Sequence, residues 1–452
     1  MKAIGIDIGT TTICGIVLDT DDGQVLDVRT KANTSVLAGR SWEKIQDPKV
    51  IIDTVYSIYE DFKKKFQDIG CIGITGQMHG IVYTDAQGQA VSPLYTWQDE
   101  SGNQKDRSGK LYVEKLKELT GYPMATGFGC TTHYYMLQNG QVPSGAVSFA
   151  TIPDYAGMQL TGNTRPVLTP SLAASLGCFN LEKLEFDSGA LQAASIDPAF
   201  LPECKNGYVI IGETSEGIPV AAAIGDNQAS VLGSVKDAVN SVLINVGTGS
   251  QVSAGIDHFI APEHVELRPL ADRDYILAGS SLCGGRAYAA LESFLRQMVT
   301  ALTGQECDRL YGKMAQLLEA AGDKPSSLIA NTRYCGTREN PSITGSFTNL
   351  TLDNFTPQDF VQSVLYGIAE ELETFHKEMI RQGASAPSYL VGSGNGIRQN
   401  PYLQKIFERI YKLPMQIPLH HEEASYGAAL YAMTASGMKK SMQEAQALIR
   451  YI

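Results

Sequence analysis

The chain has 452 residues, enough for two or three domains with sizeable cores, and its 43% apolar and 19% charged content is that of a globular protein. A formal net charge of −12, from 36 basic against 48 acidic residues with no basic run, excludes nucleic acid and anionic membranes as partners. Its eight cysteines are scattered with no CxxC pair, so they read as reduced thiols of a cytoplasmic protein rather than a zinc site, and no apolar run approaches a membrane span.

The first strand is expected from about Ala3, which leaves no room for a signal peptide. Gly5 to Thr12 reads GIDIGTTT, a strand breaking into a Gly-Thr turn, and Ile13 to Leu18 supply the second strand of a hairpin. A tip of glycine and threonine converges backbone N–H groups and hydroxyls on an anion, with Asp7 placed at the strand end to hold a hydrated Mg2+. An ordinary tight hairpin fits that stretch equally well. Gln24 to Thr30 alternates like a third strand, and Val50 to Phe66 carries apolar residues at helical spacing. Cys71 to Ile74 is a short buried strand that runs into Thr75-Gly76-Gln77-Met78-His79-Gly80, where α/β sheets gather ligands, although a lone histidine between glycines is more often structural.

Thr96 to Glu100, TWQDE, places a tryptophan and a carboxylate in a polar connection before a helical stretch at Tyr112 to Thr120. An aromatic ring covers the apolar face of a polyol and a carboxylate accepts from its hydroxyls, whereas a packed surface tryptophan with a capping Asp is the plainer alternative. Ala125 to Thr132 reads as a Gly-rich loop, Ile152 opens a helix that stops near Gly162 with Asp154 as its cap, and Thr169 to Asn180 reads as a loop of small residues.

Strands are expected at Val209 to Ile211 and Val220 to Ile224, the second ending at Gly225-Asp226-Asn227-Gln228-Ala229 before a short helix to about Gly233. Asp226 reads both as a helix cap and as a general base, since a helix N-terminus also keeps an Asp ionised. Leu243 to Ile256 then repeats the first hairpin: Asn245-Val246-Gly247-Thr248 stands where Asp7-Ile8-Gly9-Thr10 stood, which predicts two related halves facing one ligand. The boundary between them is placed near Val235 to Asn240. Gly279 to Arg286 is expected to open a helix through about Leu302, with another near Leu310 to Leu318, and Arg333 to Phe347 forms a polar loop too long for a mere connector. A long amphipathic helix spans Phe360 to Ile380. Tyr389 to Val391 runs as a strand into Gly392-Ser393-Gly394-Asn395-Gly396, a turn that commonly admits a nucleotide, and Gly427-Ala428-Ala429 indicates a closely packed helix.

Taken in order, GIDIGTTT, TGQMHG, TWQDE, GDNQA, NVGTGS and VGSGNG resemble the FGGY family of carbohydrate kinases over nearly the whole chain. Within it, TGQMHGIVY, TWQD, ATGFGCTT, AASLGCFN, GDNQASV and GSSLCGG are most similar to the sedoheptulokinase branch. The resemblance implies an α/β fold of two actin-like (ribonuclease H-like) domains with an active-site cleft between them. Residues 1–237 would carry the sugar side and the first phosphate hairpin, and 238–452 the nucleotide side. It implies ATP and Mg2+, with Asp226 as catalytic base beside the sugar, Met78, His79, Trp97 and Asp99 as sugar contacts, and Asp7 near the metal. Gly9, Thr10, Thr11, Gly247 and Thr248 would meet the phosphates, and Gly392, Ser393 and Gly394 the adenosine. The implied reaction is phosphorylation of a terminal hydroxyl of a ketose, sedoheptulose first, with xylulose or ribulose as alternatives. Actin- and chaperone-like ATPase switches use similar paired hairpins, but a switch has no use for a polyol pocket, so TGQMHG and TWQDE stand against that reading. Two departures are visible: Glu100-Ser101 stand where family members often carry an Arg two residues after the WxD Asp, and Asn245 replaces a carboxylate in the second hairpin.

Overall fold

The computed structural model describes residues 1–321, 325–337 and 340–452. Its N-terminal half is built on a seven-stranded sheet. Strands β1 (Lys2–Ile8) and β2 (Thr12–Asp19) form the expected antiparallel hairpin, and β3 (Val25–Ala32) continues it beyond β2. On the other side of β1 lies parallel β4 (Ile69–Gly76), beyond which β6 (Pro219–Ala221) pairs with β4 and β5 (Ile210–Glu213) forms the edge; β7 (Ile224–Gly225) also runs parallel to β4. Ile4, Ile6, Ile8, Ile13 and Val17 are fully buried, in a core shared with Ile51, Val55, Ile58 and Phe62 of the helix Pro48–Lys65. That helix starts where Asp47 accepts the Lys49 N–H and Pro48 fills the first turn, as its sequence invites.

The C-terminal half repeats the plan. Strands β8 (Ser241–Val246) and β9 (Ser250–Ile256) make the second hairpin; beside them lie β10 (Glu266–Pro269), β11 (Tyr275–Ser281), β12 (Tyr389–Ser393) and β13 (Met415–Gln416) in a six-stranded sheet ordered β10-β11-β9-β8-β12-β13. β11 is antiparallel to β9, and β12 is parallel to β8. The run β3-β2-β1-β4 therefore matches β11-β9-β8-β12 in both order and direction. Asn245 faces Ser393 across β8 and β12, just as Asp7 faces Thr75 across β1 and β4.

The helices Asp226–Ser234 and Glu423–Ala435 pack on one another backbone to backbone. A Cβ on Gly427 would come within 1.8 Å of the Ala229 carbonyl oxygen, and one on Gly233 within 2.0 Å of the Glu423 carbonyl oxygen. The second helix also presses on the first sheet, where a Cβ on Gly73 would sit 1.9 Å from the Ala428 carbonyl oxygen. Glycine is what permits these contacts, as the Gly-Ala-Ala run anticipates.

Several local expectations change. The stretch Ala125 to Thr132 passes into the helix Gly129–Gln138, and Thr169 to Asn180 contains the helix Pro170–Leu176. Both are buried nearly all round, so neither carries an amphipathic period. Asp154 is not the cap of its helix; Thr151 is, its hydroxyl accepting the Asp154 N–H. Gly279 to Ser281 end β11, and the helix Gly284–Thr303 begins only after them. Among the described residues no helix is long and apolar enough to cross a membrane.

Gly73→Ala is expected to lower unfolding free energy by about 2 kcal/mol or more, because backbone on both sides must move. Gly312→Ala, at a helical position with nothing within 4 Å of the new methyl, is expected to be neutral or stabilising by up to about 1 kcal/mol. Urea midpoints for the two variants check this, and matching midpoints would contradict it.

Candidate active site

Strand register sets the site. Asp7 of β1, Thr75 of β4 and Ile224 of β7 lie in one row across three parallel strands, and the Thr75 hydroxyl donates to the Ile224 carbonyl at 2.8 Å. Just past that row the three chains leave the sheet as the Gly9-Thr10-Thr11 turn, the Gln77-Met78-His79 segment and the start of the Asp226–Ser234 helix. Ligand sites in open α/β sheets lie outside the carboxyl ends of such strands.

Two half-buried carboxylates stand there. Asp7 has one oxygen, Oδ1, buried without a hydrogen-bond partner. Burial, with the negative charges of Asp226 and Glu422 adding to it, raises its carboxyl to about 7. Burial also raises Asp226 to about 6, opposed by the Asn227 N–H, which donates to Oδ1 at 2.7 Å, and by the Arg268 guanidinium. Asp226 is the first residue of its helix, and Gly225 occupies the cap position. An orphaned carboxylate oxygen beside like charge is the setting that a hard divalent cation neutralises, so Asp7 fits a Mg2+ ligand, direct or through water.

A chain of hydrogen bonds joins the first turn to the two loops predicted to face a sugar. The Trp97 indole N–H donates to Thr10 Oγ1 at 3.1 Å. The Gln46 amide donates to the Thr10 carbonyl at 2.9 Å, and the Gln77 amide donates to Gln46 Oε1 at 2.9 Å. Trp97 itself is 45% exposed, leaving a ring face open. Met78 lies against Gly225, where a Cβ would be 2.7 Å from its sulfur. His79 adopts a left-handed φ of 72°. Its N–H donates to Ser175 Oγ at 3.1 Å, its Nδ1 donates to the Ser175 carbonyl at 2.7 Å, and its ring stacks on Phe128 at 4.6 Å. Asp99 is fully buried, accepting the Ser101 N–H at 2.9 Å and the Lys44 N–H at 3.3 Å, so its carboxylate braces the loop that carries Trp97.

In the other half, the Gly247-Thr248 turn is held from behind by the start of the helix Gly284–Thr303: Gly285 N–H donates to the Gly247 carbonyl and Arg286 N–H to the Thr248 carbonyl, both at 3.0 Å. The end of β12 joins it. Asn245 Nδ2 donates to Ser393 Oγ at 2.8 Å, and Gly394, at φ 78°, lies so near Val246 that a Cβ would be 2.6 Å from its carbonyl oxygen. Gly247, Thr248, Gly392, Ser393 and Gly394 thus form one cluster, while Gly9, Thr10, Thr11, Met78, Trp97 and Asp226 gather at the end of the first sheet.

Arg268 was not foreseen. It lies on β10 of the second half, is gripped by Glu266 at 3.0 and 2.6 Å, and donates from Nη1 to Asn227 Oδ1 at 2.8 Å. The neighbouring Gln228 amide donates to the Pro269 carbonyl at 3.1 Å, so β10 clasps the start of the Asp226 helix. Gln46, equally unforeseen, sits on a two-residue strand, Ile45–Gln46. Four-residue and two-residue strands are too short to show a period, and neither residue belongs to a motif.

Residues 2–243 match the FGGY family of carbohydrate kinases, N-terminal domain, and residues 242–436 match its C-terminal domain. The chain is similar to sedoheptulokinase of Mus musculus, 27% identical over 94% of this chain and 96% of that protein. It is also similar to glycerol kinase of Aquifex aeolicus, 25% identical over 98% of this chain and 91% of that one. Among solved structures, xylulose kinase from Rhodospirillum rubrum superposes with a TM-score of 0.85 at 20% identity, over 100% of this chain and 93% of that chain. The shared fold is mixed α/β, with two actin-like domains and a cleft between them.

Gln46→Ala and Gln77→Ala are each expected to cost about 1–3 kcal/mol of stability, since each strands a buried polar partner. In a double-mutant cycle the two should couple by at least about 0.5 kcal/mol. Strictly additive losses in denaturant titrations would show that the amides do not act together.

Proposed function

Because this chain belongs to the FGGY family of carbohydrate kinases, whose members phosphorylate sugar hydroxyls with ATP, we propose that it phosphorylates the terminal hydroxyl of a ketose, and that the ketose is sedoheptulose, giving sedoheptulose 7-phosphate. The observation that carries the reaction is the row of Asp7, Thr75 and Ile224, which sets Asp7 and Asp226 at the ends of two parallel strands that flank β4. The substrate choice is supported by the likeness to the mouse sedoheptulokinase over 94% of the chain and by the motifs quoted above.

In this reading Asp226 accepts the proton of the attacking hydroxyl and orients it in line with the γ-phosphate, a contribution of about 10²–10⁴-fold. The Asn227 N–H and Arg268 oppose the effect of burial and keep it ionised near neutrality. Asp7 holds Mg2+, which, when bound, offsets charge on the phosphates. Gly9, Thr10 and Thr11 on one side and Gly247 and Thr248 on the other present backbone N–H groups and hydroxyls to the phosphates. Gly392, Ser393 and Gly394 flank the nucleoside. Met78, His79 and Trp97 line the sugar side, Trp97 on a loop braced by Asp99, and the indole bond to Thr10 ties sugar binding to the phosphate turn. Domain closure then keeps water from the γ-phosphate. A second reading, a xylulose or ribulose kinase, is favoured by one departure: Glu100-Ser101 follow Asp99 where an arginine is expected two residues on, so the far end of the sugar meets different chemistry.

Asp226→Asn is expected to reduce sugar-dependent ADP release by at least about 10²-fold while leaving ADP binding intact; near wild-type turnover would remove Asp226 from the role of base. In a panel of sedoheptulose, xylulose, ribulose and glycerol, the highest kcat/KM is expected for sedoheptulose, and equal or greater efficiency with xylulose would decide for the second reading. Acidification should also slow the enzyme. The base works only when ionised, so kcat/KM is expected to hold above neutrality and to fall as pH drops through the range of about 7 to about 6 to which burial raises the two carboxyls. A flat profile from pH 5.5 to 8 would contradict the assignment.

A further inference from the structure

The chain crosses from the second sheet back to the first between β13 and the helix Glu423–Ala435, and one arginine spans the crossing. Arg398 ends the one-turn helix Asn395–Arg398, which starts directly after the Gly392-Ser393-Gly394 turn, and its N–H donates to the Gly394 carbonyl at 3.0 Å. Gly396 of that helix lies against Val246, where a Cβ would be 2.7 Å from the carbonyl oxygen, so the backbone of Arg398 belongs to the cluster on the nucleotide side. Its side chain reaches out of that cluster. Nη1 donates to the Pro418 carbonyl at 2.8 Å, Nη2 donates to the His420 carbonyl, and Nε and Nη2 donate to Glu423 Oε1 at 3.3 and 2.8 Å.

The far side of the crossing grips the Asp226 helix. His420 Nε2 donates to the Gly233 carbonyl at 2.7 Å, and its ring stacks on Tyr426 with centroids 3.7 Å apart, which fixes its direction. Gly233 also meets the Glu423 carbonyl oxygen, 2.0 Å from where its Cβ would stand. Glu423 opens the helix that packs through Gly427 on Ala229. Neither Arg398 nor Glu423 carries a role in the proposed chemistry.

We propose that Arg398 is a positioning residue, which relays occupancy of the Gly392-Ser393-Gly394 turn by a nucleoside to the Asp226 helix through Glu423 and the segment 418–423. The relay rests on the reading of that turn as the adenosine contact and of Asp226 as the base. A guanidinium presents its donors in a rigid planar fork, so two carbonyls and a carboxylate held by one fork fix three points of the crossing together. The pair is nearly enclosed, with the Arg398 and Glu423 side chains 9% and 14% exposed, so it does not trade freely with water as a surface pair does.

A ligand shifts such an element only by binding one alignment better than another. A nucleotide that meets phosphate turns of both halves does so. It orders the turn from which Arg398 hangs, the fork carries that order to Pro418, His420 and Glu423, and close packing at Gly233 and Ala229 passes it to the helix that begins with Asp226.

The test follows amide hydrogen exchange of the purified full chain with and without saturating ADP, beside sugar-dependent ADP release. In the unaltered protein, ADP is expected to slow exchange by about fivefold or more both in peptides covering 389–398 and in peptides covering 226–234. Arg398→Met combined with Glu423→Gln removes both charges, so no lone charge is left enclosed. That variant is expected to keep the slowing at 389–398 and to lose most of it at 226–234, with kcat about tenfold or more lower and the KM for ATP within about threefold. Arg398→Lys keeps the charge without the fork, and the same outcome is expected of it. Unslowed exchange at 226–234 in the unaltered protein, or undiminished slowing there or unchanged turnover in a folded variant, would overturn the proposal. So would failure of both variants to fold, which would make the pair a structural clamp. Absence of ADP binding by calorimetry would overturn the nucleotide reading and the relay with it, whereas slowing confined to 389–398 overturns the relay alone.

Discussion

Backbone contact between the helices Asp226–Ser234 and Glu423–Ala435 is the constraint on which the rest of the molecule depends. With glycine at Gly233 and Gly427 the two helices approach until carbonyl oxygens of one occupy the space a side chain would take on the other. Gly5 and Gly73 allow the same approach of the second helix to the central strands β1 and β4. Dispersion over such a surface is large in sum and weak per atom, and it is lost quickly with small displacements. The reward is geometric: the first residue of one of these helices is Asp226, so its position relative to Asp7 is set by this backbone-to-backbone packing.

That placement carries an electrostatic cost. The carboxylates of Asp226 and Glu422 both act on that of Asp7, in a region partly withdrawn from water. A fold selected for stability alone would neutralise or expose them. Here the relief comes from the Asn227 N–H and, from the other half, from Arg268 on an edge strand, while one oxygen of Asp7 is left unpaired. Unrelieved charge at the ends of parallel strands is the local price of a site that receives cations and phosphates.

Much of this was legible in the sequence because the informative features are local. Both hairpins announce themselves by alternating apolar residues around a glycine-threonine tip, and their repetition exposes the twofold plan of the sheets. The segments after β4 and β7 stand out as polar breaks following apolar strands. What stayed hidden has a shared cause. The helices Gly129–Gln138 and Pro170–Leu176 are enclosed nearly all round and lose the period by which surface helices are recognised. Thr151 rather than Asp154 caps its helix because the cap is set by where the chain turns into the helix, three residues before Asp154. Arg268 and Gln46 act across long stretches of sequence, through contacts that only the assembled sheets create.

The clasp between β10 and the start of the Asp226 helix has a consequence for timing. Arg268 and the Pro269 carbonyl belong to one half of the molecule, and Asn227 and Gln228 to the other. Any hinge motion that parts the halves along this seam withdraws the guanidinium from the neighbourhood of Asp226 and leaves only the Asn227 N–H to oppose burial of its carboxyl. Proton affinity and alignment of the halves are then a single variable, so the same motion that admits a ligand also detunes the group positioned to take a proton from it.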